Sequence, residues 1–549
     1  MSVRRLSLMA AMLVGGACVS TQQVDPDRSP DPRDDLPELD AAARAAVGAT
    51  EHARAAAERP LGTVVDVIEG DPIVNVRLVL QSGSADDPAG KEGLAALSAK
   101  LARQATERLS VTELTDTLYP WAAELDVQVD KDTIAFIGRV HRDHAAAFTE
   151  VFLDVLLHPR LDAKDFARVK SEQRTFVTTT LRMGNDEALQ REALEALLYD
   201  GRAIAPSAFP AAVRHPYAHT PAGTVAGLDA ITLDDVGAFL ARARARDRLV
   251  LGISGGAPAA MVSRLTGALE ALPFSDQERT AAPTPAAPNQ NLLVIVDKPA
   301  AGTAISVGFA LTDLSRAHPD YPAMKLAETW FGEHRNLIGH LFSSMREKRG
   351  LNYGDYAYVE HFAQEGWSTY EQLNIPRRTQ YFSMWIRPVE HKNRLFALRQ
   401  TLWELDRFAR EGIPDDESFA RVQSFVQGYW QQKEQTPLRR LGYQVDQALT
   451  RQPFDRDGLR ERVRKLTRAD VNAAIRRHLR ADRLSVVVVT DNGAALAADI
   501  AADKHAPLIY LAPPTDPAQL ADDGRIDAFS LGLAGDHVLV VKPDALFAR

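Results

Sequence analysis

A helix carrying His-x-x-Glu-His sets two imidazoles on one face to bind zinc, with the Glu serving as general base. That pattern occurs nowhere in the 549 residues, and neither does His-Glu-x-x-His. Glu360-His361 comes nearest, but Ala357 stands in the first ligand's place. His141-Arg-Asp-His144 has a spacing that metal could use. It falls at an expected strand end, where a solvated pair of His is the plainer reading. His334 and His340 are six residues apart, which puts them on different faces of a helix. A metal site built on them is therefore the weakest reading. Glu187, Glu192 and Glu195 are read as helical surface charge, with no imidazole pair to join.

The elements that would hold any site come from a chain long enough for several cores. Its 45% hydrophobic and 25% charged content is that of a globular protein. Net charge is -9 with acids and bases interleaved, and no basic stripe appears, so nucleic acid is excluded as a partner. Arg4 and Arg5 precede the apolar run Leu6 to Val14, then Gly15, Gly16, Ala17 and Cys18. A charged start, a short apolar segment and a small-residue site predict a secretory signal over 1–18. Cys18 is the only Cys, so disulfides play no part in the expected exported protein. Beyond the N-terminus no apolar run is long enough to span a bilayer.

Residues 19–58 read as a Pro- and Asp-rich tether, Thr21 to Asp40, followed by an Ala-rich helix over Ala41 to Arg59. One folded body is expected over 59–275 and another over 292–491, with a Pro-rich linker at 276–291 and an extension over 492–549. The bodies read as copies. Thr232-Leu-Asp-Asp-Val236 matches Thr467-Arg-Ala-Asp-Val471, and Asp247-Arg-Leu249 matches Asp482-Arg-Leu484, both at an offset of 235. Phe166-Ala-Arg-Val169 recurs as Phe419-Ala-Arg-Val422 at an offset of 253, which implies about 18 extra residues in the first copy, placed at Arg202 to Gly223. Each matched Thr caps a helix that feeds a buried strand, Val250–Ile253 or Val486–Val489. Strands are also expected at Ile73–Leu80, Leu293–Asp297 and Ile305–Leu311, with a hairpin of Leu125–Val129 and Thr133–Ile137 across Asp130-Lys131-Asp132. The fold class expected is α+β: two duplicated domains, each a mostly antiparallel sheet packed with long helices. The aromatics of Trp367–Tyr370 and Tyr381–Ile386 read as strand and core. Arg242, Arg244 and Arg246 read as the solvated end of a helix.

With these pieces in order, the chain resembles the pitrilysin or insulinase-type zinc peptidases in their short two-domain form, like a mitochondrial processing peptidase subunit. The residues that carry the likeness are Gly83-Ser84, Pro88, Gly90 and Gly93-Leu-Ala95, then His215-Pro-Tyr217 with Gly223-Thr224, and Arg346-Glu-Lys-Arg-Gly-Leu-Asn-Tyr353 before Gly354. On this resemblance the zinc motif would occupy Ala96, Ala99 and Lys100, where two methyl groups and a cation replace the ligands and the base. The family's third ligand is a Glu on a later helix, the neighbourhood of Glu187, Glu192 and Glu195. The resemblance also implies a paired arrangement. One subunit carries zinc, and the other carries an Arg and a Tyr seven residues apart, here Arg346 and Tyr353, with Arg349 and Tyr356 as nearby alternatives. A guanidinium and a phenol can both donate to the carbonyl oxygen that gains charge in peptide hydrolysis.

The signal resembles that of a bacterial lipoprotein, which makes Cys18 a lipidation site and the chain's only link to a membrane; Val19 after it suggests the outer membrane. The expected function is a non-catalytic, peptide-holding subunit with no metal or cofactor of its own, zinc residing in a homologous partner. The alternative is a pseudoenzyme lipoprotein that binds or scaffolds peptides without proteolysis.

Overall fold

Ile73-Val-Asn-Val-Arg-Leu-Val-Leu80 alternates β-branched and long apolar residues, and almost every position is buried. A strand covered on both faces must lie inside a sheet with helices above and below. The computed structural model shows this arrangement. It describes residues 61–549 apart from 211–213, 276–278, 280, 281, 313, 335–338, 367, 451–455, 513 and 534. The signal, Cys18, the tether, the helix expected over Ala41–Arg59 and Trp367 lie outside the described residues.

The first half runs β1 (Gly62–Val67), β2 (Ile73–Leu80), α1 (Leu94–Ala102), α2 (Val111–Leu118), β3 (Glu124–Val129), β4 (Ile134–His141), α3 (Ala145–Leu157), α4 (Ala163–Thr175), α5 (Asp186–Asp200), α6 (Val225–Ala230), α7 (Leu233–Ala243), β5 (Leu249–Gly255) and α8 (Ala259–Glu270). The second half runs β6 (Leu292–Asp297), β7 (Thr303–Leu311), α9 (Tyr321–Phe331), β8 (Asp355–Tyr358), β9 (Gln380–Val389), α10 (Arg394–Glu411), α11 (Asp416–Gln432), α12 (Pro437–Thr450), α13 (Arg456–Lys465), α14 (Arg468–His478) and β10 (Ser485–Thr490). After it come α15 (Gly493–Ala501), α16 (Pro517–Asp527) and β11 (Val538–Val541).

The sheet orders are β1-β5-β2-β4-β3 and β11-β6-β10-β7-β9-β8. Adding five to each strand number of the first reproduces the second, with β11 as an extra edge. The pairings match as well. β1 with β5 and β6 with β10 are parallel, and the next three pairs in each sheet are antiparallel. The expected α+β duplication is therefore present. Both matched threonines close capping boxes: Thr232 accepts from Asp235 N and Thr467 from Asp470 N, and each Asp bonds back to its Thr. Strand β1 gave no distinct signal in the sequence, because its residues alternate half-buried and exposed.

The halves exchange a helix. α5 packs on β7 and β10 of the second sheet, while α12 packs on β1 and β5 of the first. Leu441, Val445 and Leu449 of α12 form one buried cluster with Val79, Ala135 and Val250. Gly252 in β5 permits this contact, since a Cβ there would stand 2.5 Å from the Val445 side chain. Residues 201–224, between α5 and α6, hold the extra length of the first copy and include His215-Pro-Tyr217.

One expectation needs correction. Of the three arginines after Phe239, Arg242 is exposed. Arg244 instead donates to the carbonyls of Leu156 and Leu157 at 2.8 and 2.9 Å, satisfying the end of α3, and Arg246 stacks on Phe274 at 3.9 Å. The guanidinium fork serves orphan carbonyls of another helix rather than water.

Candidate functional site

Helix α1 is set by what precedes it. Gly93 lies at φ 107°, and the Asp87 carboxylate accepts from both Gly93 N and Ala95 N at 2.7 Å, tying down the first turn. Gln173 of α4 donates to Gly93 O at 3.0 Å and to Ala222 O at 2.9 Å. Thr224 N donates to Glu92 O at 3.3 Å, which docks the loop that carries His215 and Tyr217. The Gly93-Leu-Ala95 and Gly223-Thr224 pieces thus meet at one helix end.

On this helix Ala96 and Ala99 are buried, and Lys100 is half-buried. Burial lowers the Lys100 pKa, against the opposing charge of Glu172. Two methyl groups offer no lone pair, and an ammonium offers three protons and none to donate to a metal. The donor set of a zinc site is missing, so zinc does not fit at these positions.

Two of the three downstream carboxylates are engaged in ion pairs. Glu187 pairs with Arg387 at 3.0 Å. Glu195 is buried, bonding Lys131 at 2.9 Å and Arg377 at 2.8 Å, and Tyr381 donates to it at 3.2 Å. Burial works to raise the Glu195 pKa, but Arg377, Lys131 and His361 together hold it well below the ordinary carboxylate range. Glu192 beside it is shifted the other way, by burial and by the Glu195 charge. Surface charge is the wrong description of Glu195: it joins the two halves.

That junction centres on the hairpin turn Asp130-Lys131-Asp132. All three residues are buried, and each charge is paired. Asp130 takes both arms of Arg377 at 2.7 and 2.8 Å. Asp132 bonds Arg378 and Arg279 at 2.9 Å and accepts from the Tyr217 hydroxyl. Lys131 also donates to the carbonyls of Tyr217, at 3.1 Å, and His219. Gly83 and Ser84 support the turn, since Ser84 N donates to Asp130 O at 3.0 Å. A Cβ at Gly83 would lie 2.4 Å from that oxygen. His361 stands against Arg377, and burial with the Arg377 charge lowers its pKa to about 4. A cavity of about 380 Å³ lies beside this knot, between the halves, lined among others by Asp132, Lys325, Glu328, Tyr358 and His361. Neither Arg346 and Tyr353 nor Ala96, Ala99 and Lys100 line it. Sequence reasoning missed the knot; its one signal was an acidic turn with an Arg377-Arg378 doublet of opposite charge.

Arg346 and Tyr353 do meet each other. The guanidinium stacks 4.4 Å from the Tyr353 ring centre, and Arg387 covers the same ring at 5.3 Å. Tyr353 is 64% exposed. Arg349 is instead buried on Asp523 at 2.8 Å, and Tyr356 packs into an aromatic cluster with His334, Phe362 and Trp385, so neither alternative is open to a ligand. Asp355, two residues beyond Tyr353, is buried and accepts from Asn352 at 2.7 Å. Burial raises its pKa to about 7, against the Asn352 hydrogen bond and the Arg346 charge.

His141 and His144 flank a short turn after β4, where Asp143 N donates to His141 and His144 stacks on Trp121. His334 is buried among aromatics and His340 bonds Glu404 at 2.7 Å, so the two do not form a site.

Two duplicated sheet-and-helix halves, the first with an α1 that offers no zinc donor at Ala96, Ala99 or Lys100, are the class that this geometry defines. Residues 64–204 match the family described as Insulinase (Peptidase family M16), and residues 230–425 match the Peptidase M16 inactive domain. The chain belongs to the insulinase-type, or M16, peptidase family. A solved structure of a peptidase M16 inactive domain from Pseudomonas fluorescens is similar at a TM-score of 0.66 and 19% identity, covering 78% of this chain and 95% of that one. A protease from Helicobacter pylori (TM-score 0.61, 15% identity) and a putative M16-like peptidase from Alicyclobacillus acidocaldarius (0.60, 16%) are each similar over 79% of this chain and 97% of theirs. No curated protein matches the chain. The chain is thus a non-catalytic M16-like protein.

Proposed function

We propose that this chain is the substrate-holding subunit of an exported zinc metallopeptidase whose metal sits in a homologous His-x-x-Glu-His partner. The observation that carries the reading is the pairing of an α1 without metal donors at Ala96, Ala99 and Lys100 with a sheet-edge strand beside it. Among the described residues β3 pairs with β4 alone, most of its residues are exposed or half-buried, and it packs against α1. Arg103, the residue capping α1, donates to Leu125 O of β3 at 2.7 Å and holds strand and helix together. An extended peptide could add to such an edge through backbone hydrogen bonds. Tyr353, exposed on the second half, and the half-buried Arg346 stacked on it would donate to the scissile carbonyl in the assembled chamber. Export and lipidation at Cys18 would place the complex in the cell envelope, at the outer membrane.

The test is reconstitution. The chain is mixed with a zinc-bearing homologue encoded beside it, and cleavage of unfolded peptides is followed. Cleavage is expected only from the pair. Arg346→Ala and Tyr353→Phe should each lower turnover by about 10²-fold, the order measured for loss of one oxyanion donor, without changing the partner's zinc content. Unchanged cleavage in both variants, or cleavage by this chain alone, overturns the proposal. Peptide binding without cleavage in any pairing would favour the pseudoenzyme reading instead.

A further inference from the structure

His318 and Asp320 lie just before α9, and His478 is the last residue of α14, which packs against α9. One ligand atom from each of the three lies within 4.8 Å of the others. The His478 Nε2 to Asp320 Oδ2 distance is 2.8 Å, and the two imidazole rings stand perpendicular with centres 5.0 Å apart. Asp320 N donates to His318 Nδ1 at 3.1 Å, which fixes that ring above the carboxylate. All three side chains are half-buried, so water and ions can reach them.

We propose that His318, Asp320 and His478 form a site for a divalent transition-metal cation, zinc by preference. Two imidazoles and one carboxylate are the donor types that zinc selects, and three protein ligands leave a fourth position for water. Tetrahedral bonds of about 2.0–2.1 Å set donors roughly 3.3 Å apart, so His478 Nε2 and Asp320 Oδ2 must part slightly from 2.8 Å while any donor farther off moves in, within the reach of side-chain rotation. Arg477 now serves as the carboxylate's counter-ion, its Nε and Nη2 each 2.8 Å from an Asp320 oxygen. With its side chain 56% exposed, it can swing away when a doubly charged ion arrives. The site lies outside the duplicated frame, because the offset of 235 places Ala243 opposite His478. It is also separate from α1, so its occupancy and the peptide-holding role can fail independently.

Zinc titration of the full chain by calorimetry, with cobalt absorption as a second readout, tests the site. One zinc per chain is expected, with visible cobalt bands of a four-coordinate nitrogen and oxygen shell. His318→Ala and His478→Gln should each weaken binding by more than about tenfold and abolish those bands. Arg477→Ala should bind zinc as tightly or more so, which a purely structural ion pair would not produce. The zinc-induced rise in unfolding midpoint provides a check for any variant that folds poorly. Absence of binding at 100-fold molar excess of zinc, or stoichiometric zinc indifferent to both His substitutions, overturns the proposal.

Discussion

At the scale of single residues, Asp355 and Lys131 make the sharpest claims. The Asp355 carboxyl titrates near pH 7 in the folded chain and near the ordinary Asp value when unfolded. Because the folded state binds the proton more tightly, this group's contribution to stability is greatest at acid pH. It falls as pH rises from about 4 to 7. Asp355→Asn keeps an oxygen for the Asn352 amide and removes the titration. The variant should match the parent near pH 4 and exceed it at pH 8, by up to a few kcal/mol, in unfolding midpoints measured across that range. His215, His219 and His361, all with pKa lowered to about 4 chiefly by burial, act oppositely in both chains: they favour unfolding as pH falls from about 6.5 to 4. Their effect cancels in the comparison. Lys131 is 1% exposed and holds Glu195 and two carbonyls. Lys131→Met preserves the length of the side chain, leaves both carbonyls without this donor and removes one of the two cations on the buried Glu195, which keeps Arg377 and Tyr381. A loss of roughly 3–5 kcal/mol is expected from denaturant titration, the magnitude for breaking one side of a buried pair.

At the scale of elements, much was legible because the periodicities are strong. Capping boxes at Thr232 and Thr467 and the apolar runs of β2, β5, β7 and β10 follow from local physics alone. The hairpin of β3 and β4 was legible too, but not the fate of its turn. Asp-Lys-Asp between strands is ordinarily a solvated turn, and partners far off in sequence, Arg377, Arg378, Arg279 and Glu195, allow its burial. The same limit applies to Glu195, whose partners come from the β3–β4 turn, the loop before β9 and β9 itself. A helix pattern records which face is apolar, but it does not say which sheet will cover it.

At the scale of the whole molecule, the exchange of α5 and α12 makes each half depend on the other. The first sheet's face at Val79, Ala135 and Val250 is closed by α12 of the second half. Residues 61–275 expressed alone should therefore expose that face, bind a hydrophobic dye and aggregate. Co-expression with residues 292–549 should restore a soluble complex, and a soluble, dye-silent first half would disprove the dependence. The tail adds a further tie. The carbonyls of Phe547 and Ala548 accept from Val225 N and Ala226 N at the start of α6, at 3.0 and 3.1 Å. The sequence by itself determined the two copies, the apolar strands β2, β5, β7 and β10, the caps at Thr232 and Thr467, and the absence of any His-x-x-Glu-His, because each depends on residue type and short-range spacing. Only the tertiary structure decided that the halves trade helices, that a charged turn is their buried junction, and that His318, Asp320 and His478 converge. Those facts depend on long-range packing, where the entropy of closing a large loop is offset by contacts that no local pattern encodes.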